Sequence, residues 1–440
     1  MKKLAIISTY NESCGNASYT EVLRKEFSKY YEVDILPLQL DILSSNASNI
    51  KKIANKHIDE ISQAVKNYDY VNIQFEAGLY GNTKNDILRR VKKIIKASNN
   101  VILTMHRVDL PKSIFSLKTF KVLVSSKNII GNLRRIRNEI YFKSLYKDLI
   151  KIMKDHSKNN ESNIIVHTKR DKKTIERFFD FKNVHDFPLT FLNKEERLRE
   201  RNISERNGFI DRYSLNKNDK ITRRRRGRIG TRYIDRYSLN KNDKIIGIFG
   251  YISEYKGHET IIKALSYLPD DYKLLIFGSQ HPMSIQEYKS CDDYIEKLLK
   301  LIENISKNKN SFNERIQFLG NLDDDRFIEA LYCCDFAVLP YLEVNQGGSG
   351  IASLVLETKI KALYSNNKAF DELNKYFPNT FSRFDIGNYM ELAKKIKDYK
   401  ENYTLKIDDC LETYNIENNI IFHKNIFEGG MKKWVIPKKC

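Results

Sequence analysis

No stretch of this 440-residue chain approaches the ~20 consecutive apolar residues that a membrane-crossing helix needs. The N-terminus, MKKLAIISTYNES, holds an apolar run of only four, too short for a signal peptide core, so it reads as a buried first strand and the protein is expected in the cytoplasm. Cysteine is scarce. The six present (Cys14, Cys291, Cys333, Cys334, Cys410, Cys440) show no CxxC spacing and no histidines at metal-ligand intervals, which argues against a metal site and fits reduced thiols. Acidic residues are in deficit, 56 against 76 Lys and Arg, leaving a net charge of +20. Apolar residues are not in deficit: 41% hydrophobic and 11% aromatic content excludes global disorder, and the length suits two domains of roughly 150–220 residues.

The positive charge is concentrated. Between Lys112 and Lys158 twelve Lys and Arg stand against three acids. In IIGNLRRIRNEIYFKSLYKDLIKIMK, Ile136, Ile140, Leu145, Leu149 and Met153 share a helical face while Arg135, Lys143, Lys147 and Lys151 lie off it. Such a basic amphipathic helix suits an anionic membrane surface; an ordinary domain helix with a solvated lysine face fits the pattern equally.

A second concentration lies in a repeat. IDRYSLNKNDKI occurs from Ile210 and again from Ile234, and the segment between places six arginines (Arg223, Arg224, Arg225, Arg226, Arg228, Arg232) in ten residues. Deleting the 24 residues from Asp211 to Ile234 leaves NGFIDRYSLNKNDKIIGIFG, an uninterrupted entry into a strand. Two copies with dissimilar filling do not make a solenoid. The block reads as a tandem duplication in a surface loop, where extra length costs little closure entropy. Binding of nucleic acid or lipid phosphate is the alternative, weakened by Tyr233 being the only nearby aromatic.

Along most of the chain, short β-rich runs alternate with helical patterns. KLAIIST, YVNIQFE, VILTMH and NIIVHT read as strands in the first half, with NASYTEVLRKEFSKYY and NDILRRVKKIIKAS among its helices. The rhythm resumes with strands KIIGIFGY, YKLLIFGS, RIQFLG and FAVLPY and helices HETIIKALSYL, DDRFIEALYCC and GIASLVLETKIKAL. The expected class is α/β, two Rossmann-like doubly wound domains facing a cleft. The first spans 1–192, a linker with the duplicated insertion spans 193–243, and the second spans 244–440 with a C-terminal helix that can cross back to the first.

Four strand-to-helix junctions carry residues suited to ligands, because strand C-termini and helix N-termini converge there. In STYNESCGNASYTEVL, Gly15 and Asn16 precede a helix. In FGYISEYKGHETIIKAL, Lys256 and Gly257 open one, so that a cation and free amides meet, as a diphosphate requires. In LPYLEVNQGGSGIASLVLE, Gly347, Gly348, Ser349 and Gly350 begin a helix whose first amides would be bare, a phosphate cradle without a Walker lysine. Glu343 and Gln346 lie on its approach loop, and Glu357 falls about two turns in. Finally QFEAGLYGN and TMHRVDLP bring Gln74, Glu76 and His106 to neighbouring strand ends, where the imidazole suits a sugar or acceptor hydroxyl. A structural role for such a histidine, or a plain helix cap at Lys256, fits these local patterns as well.

Taken in order, the motifs STYNESCGNASYTEVL, LTMH, FGYISEYKGHETIIKAL, RIQFLGNLDDDRFIEALYCCDFAVLPY and QGGSG followed by SNNKAFDEL resemble the retaining glycosyltransferases of the GT-B fold, the group 1, family 4 type, over nearly the whole chain. The resemblance implies a nucleotide-diphosphate sugar as donor, a glycan or lipid-linked acceptor, retention at the anomeric carbon, no cofactor and no metal ion. It implies that Lys256 and the amides of Gly348, Ser349 and Gly350 hold the diphosphate, that Gly15 and Asn16 close over it, and that His106 lies near the donor sugar. Glu343 joins His106 and Lys256 as a candidate catalytic group, Gln74 and Glu76 belong to the acceptor side, and a role in bacterial surface polysaccharide synthesis at the inner face of the plasma membrane follows.

Several positions depart from the pattern. Tyr251 stands for the family's loop arginine, Gln346 and Leu354 for the glutamates of its E-x7-E motif, with Glu357 one turn from the latter, and Lys359 and Lys361 for a later Gly and Pro. Two rival functions suit the same residues. A nucleotide-sugar 2-epimerase would use Glu76, Asp109 and His106; a non-catalytic phosphate- or nucleic-acid-binding protein would use the arginine block, although nucleic acid is the less expected partner.

Overall fold

The computed structural model of the protein describes residues 1–12, 15–109, 144–199, 203–213, 239–280, 291–343, 347–399 and 406–430. The arginine block and the first part of the basic amphipathic stretch, 110–143, lie outside them. Two compact units are formed, one from Met1–Phe191 with a C-terminal stretch beginning at Tyr414, the other from Leu192–Thr413. The described parts of 193–243 thus group with the second unit.

The first unit is built on a six-stranded parallel sheet of β1 (Lys3–Ser8), β2 (Glu32–Pro37), β3 (Tyr70–Phe75), β4 (Asn100–Met105), β5 (Glu161–Val166) and β6 (Val184–Asp186), in the order β2-β1-β3-β4-β5-β6. Its inner strands are covered on both faces, which is why they read as nearly continuous apolar runs. Every residue of β3 is buried, including Asn72 and Gln74. Edge strand β2, by contrast, has only exposed and half-buried residues and carries Glu32 and Asp34, so sequence patterning does not find it. Residues 144–156 are helical, with Leu145, Leu149 and Met153 at most 1% exposed and Lys147 and Lys151 facing solvent. The helix Ile416–Phe427 completes this unit: Phe427 stacks on Tyr70 at 4.7 Å and its carbonyl accepts the Asn100 amide at 2.9 Å.

The second sheet comprises β7 (Lys244–Phe249), β8 (Tyr272–Phe277), β9 (Ile316–Phe318), β10 (Phe336–Leu339), β11 (Lys361–Ser365) and β12 (Ser382–Phe384), again all parallel, in the order β12-β11-β10-β7-β8-β9. Strand order reverses between β1 and β3 in the first unit and between β7 and β10 in the second, the switch points beyond whose carboxyl ends ligands bind in open α/β sheets.

Two sequence expectations are corrected. GIASLVLETKIKAL is not one helix: the helix Gly350–Glu357 stops, Lys359 adopts φ 55°, and Lys361–Ser365 becomes β11. Helical spacing of apolar residues cannot distinguish a helix from a buried strand that follows it closely. The expectation of six reduced thiols also fails. Cys291, Cys333 and Cys334 are free, but Cys410 is in a disulfide, a spatial pairing that spacing along the chain does not report. Among the described residues, no helix is long and apolar enough to cross a membrane.

Candidate functional site

In the second unit the site grows from the switch point. β7 ends at Phe249, and the chain turns through Gly250 (φ 95°) and Tyr251 into a short 3-10 turn, Glu254–Lys256. Gly257 (φ 69°) then starts the helix His258–Leu265. A Cβ on Gly257 would stand 2.0 Å from the Pro340 carbonyl oxygen just past β10, so only glycine lets the two strand ends approach this closely. That approach sets Lys256 beside Tyr341. Nζ donates to Tyr341 Oη at 2.5 Å and lies 4.1 Å from the centre of its ring and 5.2 Å from that of Tyr255. Tyr341 Oη is in turn 3.5 Å from Ser349 Oγ, so one phenol joins the lysine to the tip of the glycine-led helix.

Ser349 is the N-cap of the helix Gly350–Glu357; its Oγ accepts the Ala352 amide at 3.3 Å. The amides of Gly350 and Ile351 have no acceptor within the helix, as at any helix start. A Cβ on Gly250 would meet Ile351 Cδ1 at 2.5 Å and Lys256 Nζ at 3.3 Å, so both loops pack around that glycine. The electrostatics are one-sided. Lys256 is 5% exposed and, among the described residues, no carboxylate pairs with it. Burial lowers its pKa, partly offset by Tyr255. Burial also raises the pKa of Tyr341, and it brings that of His258, whose ring is 1% exposed, down to about 3 with the Lys256 charge assisting.

The other expected donor residues are distributed differently. Gln346 lies outside the described residues; Tyr251, Gly348 and Gly350 are half-buried around this site. The exposed Glu343 carboxylate accepts the Lys368 amide at 2.9 Å, at the start of the helix Lys368–Leu373. Glu357 ends its helix 1% exposed, and its carboxylate accepts the Leu192 amide at 3.3 Å. Seven residues separate it from Gly350, about 10 Å of helix.

In the first unit, Gly15 begins the helix Gly15–Phe27, and no described atom lies within 4 Å of where its Cβ would be. Asn16 Nδ2 donates to Glu76 Oε2 at 2.9 Å, linking the first turn of that helix to the end of β3. His106 follows β4 and keeps an accessible edge. Its Nε2 is 2.8 Å from Gln74 Oε1, and the rings of Tyr19 and His167 stand 5.9 and 5.0 Å away. Desolvation lowers the His106 pKa to about 4, so the ring is neutral at pH 7. Gln74 is 1% exposed, with its amide bonded to Asn72 and His106. Glu76 and His106 therefore have separate partners, and Asp109 pairs with Arg107 at 3.0 Å. Tyr341 and Asn72 escape sequence reading because an aromatic after a strand and an amide within one resemble ordinary core; the signal for Tyr341 is its place directly after a switch-point strand.

Residues 231–407, which contain this Lys256–Tyr341–Ser349 arrangement, match the family described as Glycosyl transferases group 1. The whole chain has the GT-B fold of solved glycosyltransferases. Anabaena Alr3699/HepE in complex with UDP and glucose aligns at TM-score 0.57 and 13% identity, covering 96% of this chain and 99% of its own. Sucrose-phosphate synthase from Thermosynechococcus elongatus aligns at 0.60 and 13%, covering 99% and 100%. WaaG, a glycosyltransferase involved in lipopolysaccharide biosynthesis, aligns at 0.56 and 10%, covering 97% and 100%. No curated protein matches the chain significantly in sequence. Within the matched stretch, the loops carrying Lys256 and Ser349 meet at Tyr341.

Proposed function

We propose that the protein transfers a sugar from a nucleotide-diphosphate donor to a glycan or lipid-linked acceptor with retention of anomeric configuration. The observation that carries this reading is the buried Lys256 ammonium, with no carboxylate partner among the described residues, hydrogen-bonded at the tip of a helix with free first-turn amides. A buried cation without a counter-ion is costly. A diphosphate supplies the missing charge, and the same groups meet the negative charge that develops on it as the glycosyl bond breaks. The reading asks for no cofactor and no metal ion; Lys256 and the helix amides take that electrostatic part.

His106, neutral, offers a hydrogen bond to a sugar hydroxyl, with Glu76 at the neighbouring strand end and Asn16 bonded to it from the first turn of a helix. UDP and UDP-glucose, bound by Anabaena Alr3699/HepE, are the first donors to try. The exposed lysines of helix 144–156 suit contact with an anionic lipid surface, in keeping with a lipid-linked acceptor and bacterial surface polysaccharide synthesis at the inner face of the plasma membrane.

The test is thermal denaturation with a panel of nucleoside diphosphates. A ligand at 100 times its Kd adds about 2.7 kcal/mol of stability, and that gain should vanish in Lys256→Met. If no diphosphate stabilises the wild type, or if the variant responds equally, the donor site is wrongly assigned. Product NMR then reads the anomeric configuration.

A further inference from the structure

Beneath His106 runs a chain of polar side chains that a sheet interior does not need. Asn72 and Gln74, two apart on β3, point to the same face of the sheet, and Thr104 is the register partner of Gln74 on β4. All three are at most 1% exposed. Gln74 Oε1 stands 2.8 Å from His106 Nε2, Gln74 Nε2 donates to Asn72 Oδ1 at 2.5 Å, and Asn72 Nδ2 donates to Thr104 Oγ1 at 3.5 Å. Buried amides cost free energy unless satisfied, and Val or Ile would fill these positions without that cost. Here every bond runs in one sense, toward Thr104. With its NH2 group committed to Asn72, Gln74 presents its oxygen to the imidazole, and an oxygen accepts only from N–H. Tyr19, with its ring edge-on to His106 at 84°, restrains the imidazole from another side.

We propose that Gln74 is a positioning residue: the Asn72–Gln74 amide pair holds His106 as the Nε2–H tautomer and so leaves Nδ1, at the ring's accessible edge, as a lone-pair acceptor for a substrate hydroxyl. Among the described residues Nδ1 has no protein partner. A neutral acceptor selects a hydroxyl donor and takes up no proton during the reaction. The substrate half of this inference rests on the transferase reading; the tautomer half does not.

The experiment uses full-length protein labelled with 15N-histidine, with His106 assigned through His106→Gln. Long-range 1H–15N correlations without substrate should show the proton on Nε2. Gln74→Leu should remove that preference and lower kcat/KM about tenfold, chiefly through KM, the effect of one lost hydrogen bond. Gln74→Glu retains an oxygen acceptor, so it should restore the tautomer and raise the pH at which His106 titrates. A proton on Nδ1 in the wild type overturns the proposal, as does an unchanged tautomer in Gln74→Leu. If Gln74→Leu does not fold, the wild-type spectrum alone still decides the tautomer. If the tautomer is as expected but the wild type turns over no nucleotide sugar, the transferase reading fails and the amide chain stands.

Discussion

The two units share a parallel-sheet plan but place different ionisable groups at their candidate sites. The first encloses imidazoles: His106, His185 and His423 have pKa values brought down to about 4 and His167 to about 3, each chiefly by desolvation. The second encloses the ammonium of Lys256 beside Tyr341, together with one such histidine among its described residues, His258. A buried imidazole escapes its desolvation cost by staying neutral at pH 7. A lysine starting from 10.5 has much further to fall, so a buried one is best explained by an anion that arrives later. The strand ends around His106 are therefore arranged for neutral hydrogen bonding, those around Lys256 for charge.

Breaking the second half of that comparison should have the largest effect. Lys256→Ala is expected to cost about 2–4 kcal/mol of transition-state stabilisation, read as kcat/KM for transfer, while ligand-free thermal stability holds or rises because an unpaired buried charge is gone. A variant that is less stable yet transfers normally would make Lys256 a structural residue.

Acid should separate the units. The unfolded chain binds protons below pH 6.5 that these histidines refuse in the folded state until about pH 4. Their contribution is complete above pH 6.5 and is lost as pH falls toward 4, on the order of 3 kcal/mol for each fully buried ring. Hydrogen exchange at pH 7 and pH 5 should show β4, β5, β6 and the helix Ile416–Phe427 losing more protection than β7, β8 and β10. Equal losses would contradict the contrast.

Gly257→Ala should cost about 2 kcal/mol or more, from the left-handed backbone and the clash with Pro340, and should weaken diphosphate binding because it displaces Lys256. Lys359→Gly relieves a φ of 55° but gives up the Lys359–Asp408 ion pair, for a net gain of up to about 1 kcal/mol in a denaturant midpoint. Smallest of all, deleting the 24 residues from Asp211 to Ile234 should leave transfer rates unchanged; a large loss would return the arginine block to function.

Much of this arrangement was legible in the chain. Inner strands such as KLAIIS and KIIGIF announce themselves because burial on both faces demands unbroken apolar runs, and KG before HETIIKAL marks a helix start. Edge strand β2, in which Glu32 and Asp34 interrupt the apolar residues and none is fully buried, does not. Nor does β11, which patterning merged with the helix before it, although Lys359 breaks the two apart at φ 55°. At the site, Lys256 and Ser349 stand out by type and spacing, whereas the burial of Glu357 and Gln74 and their partners Leu192, Asn72 and His106 are not written in the local sequence.

The sequence by itself determined the α/β alternation, the two switch-point loops and the residue types that can hold a phosphate, since these are local consequences of periodicity, glycine placement and helix starts. Tertiary structure alone decided that Tyr341 joins Lys256 to Ser349, that Gln74 supports His106 from beneath, and that four histidines of the first unit stay neutral. Those outcomes depend on which residues distant in sequence share one desolvated space, and hydrogen bonding and charge respond to that proximity.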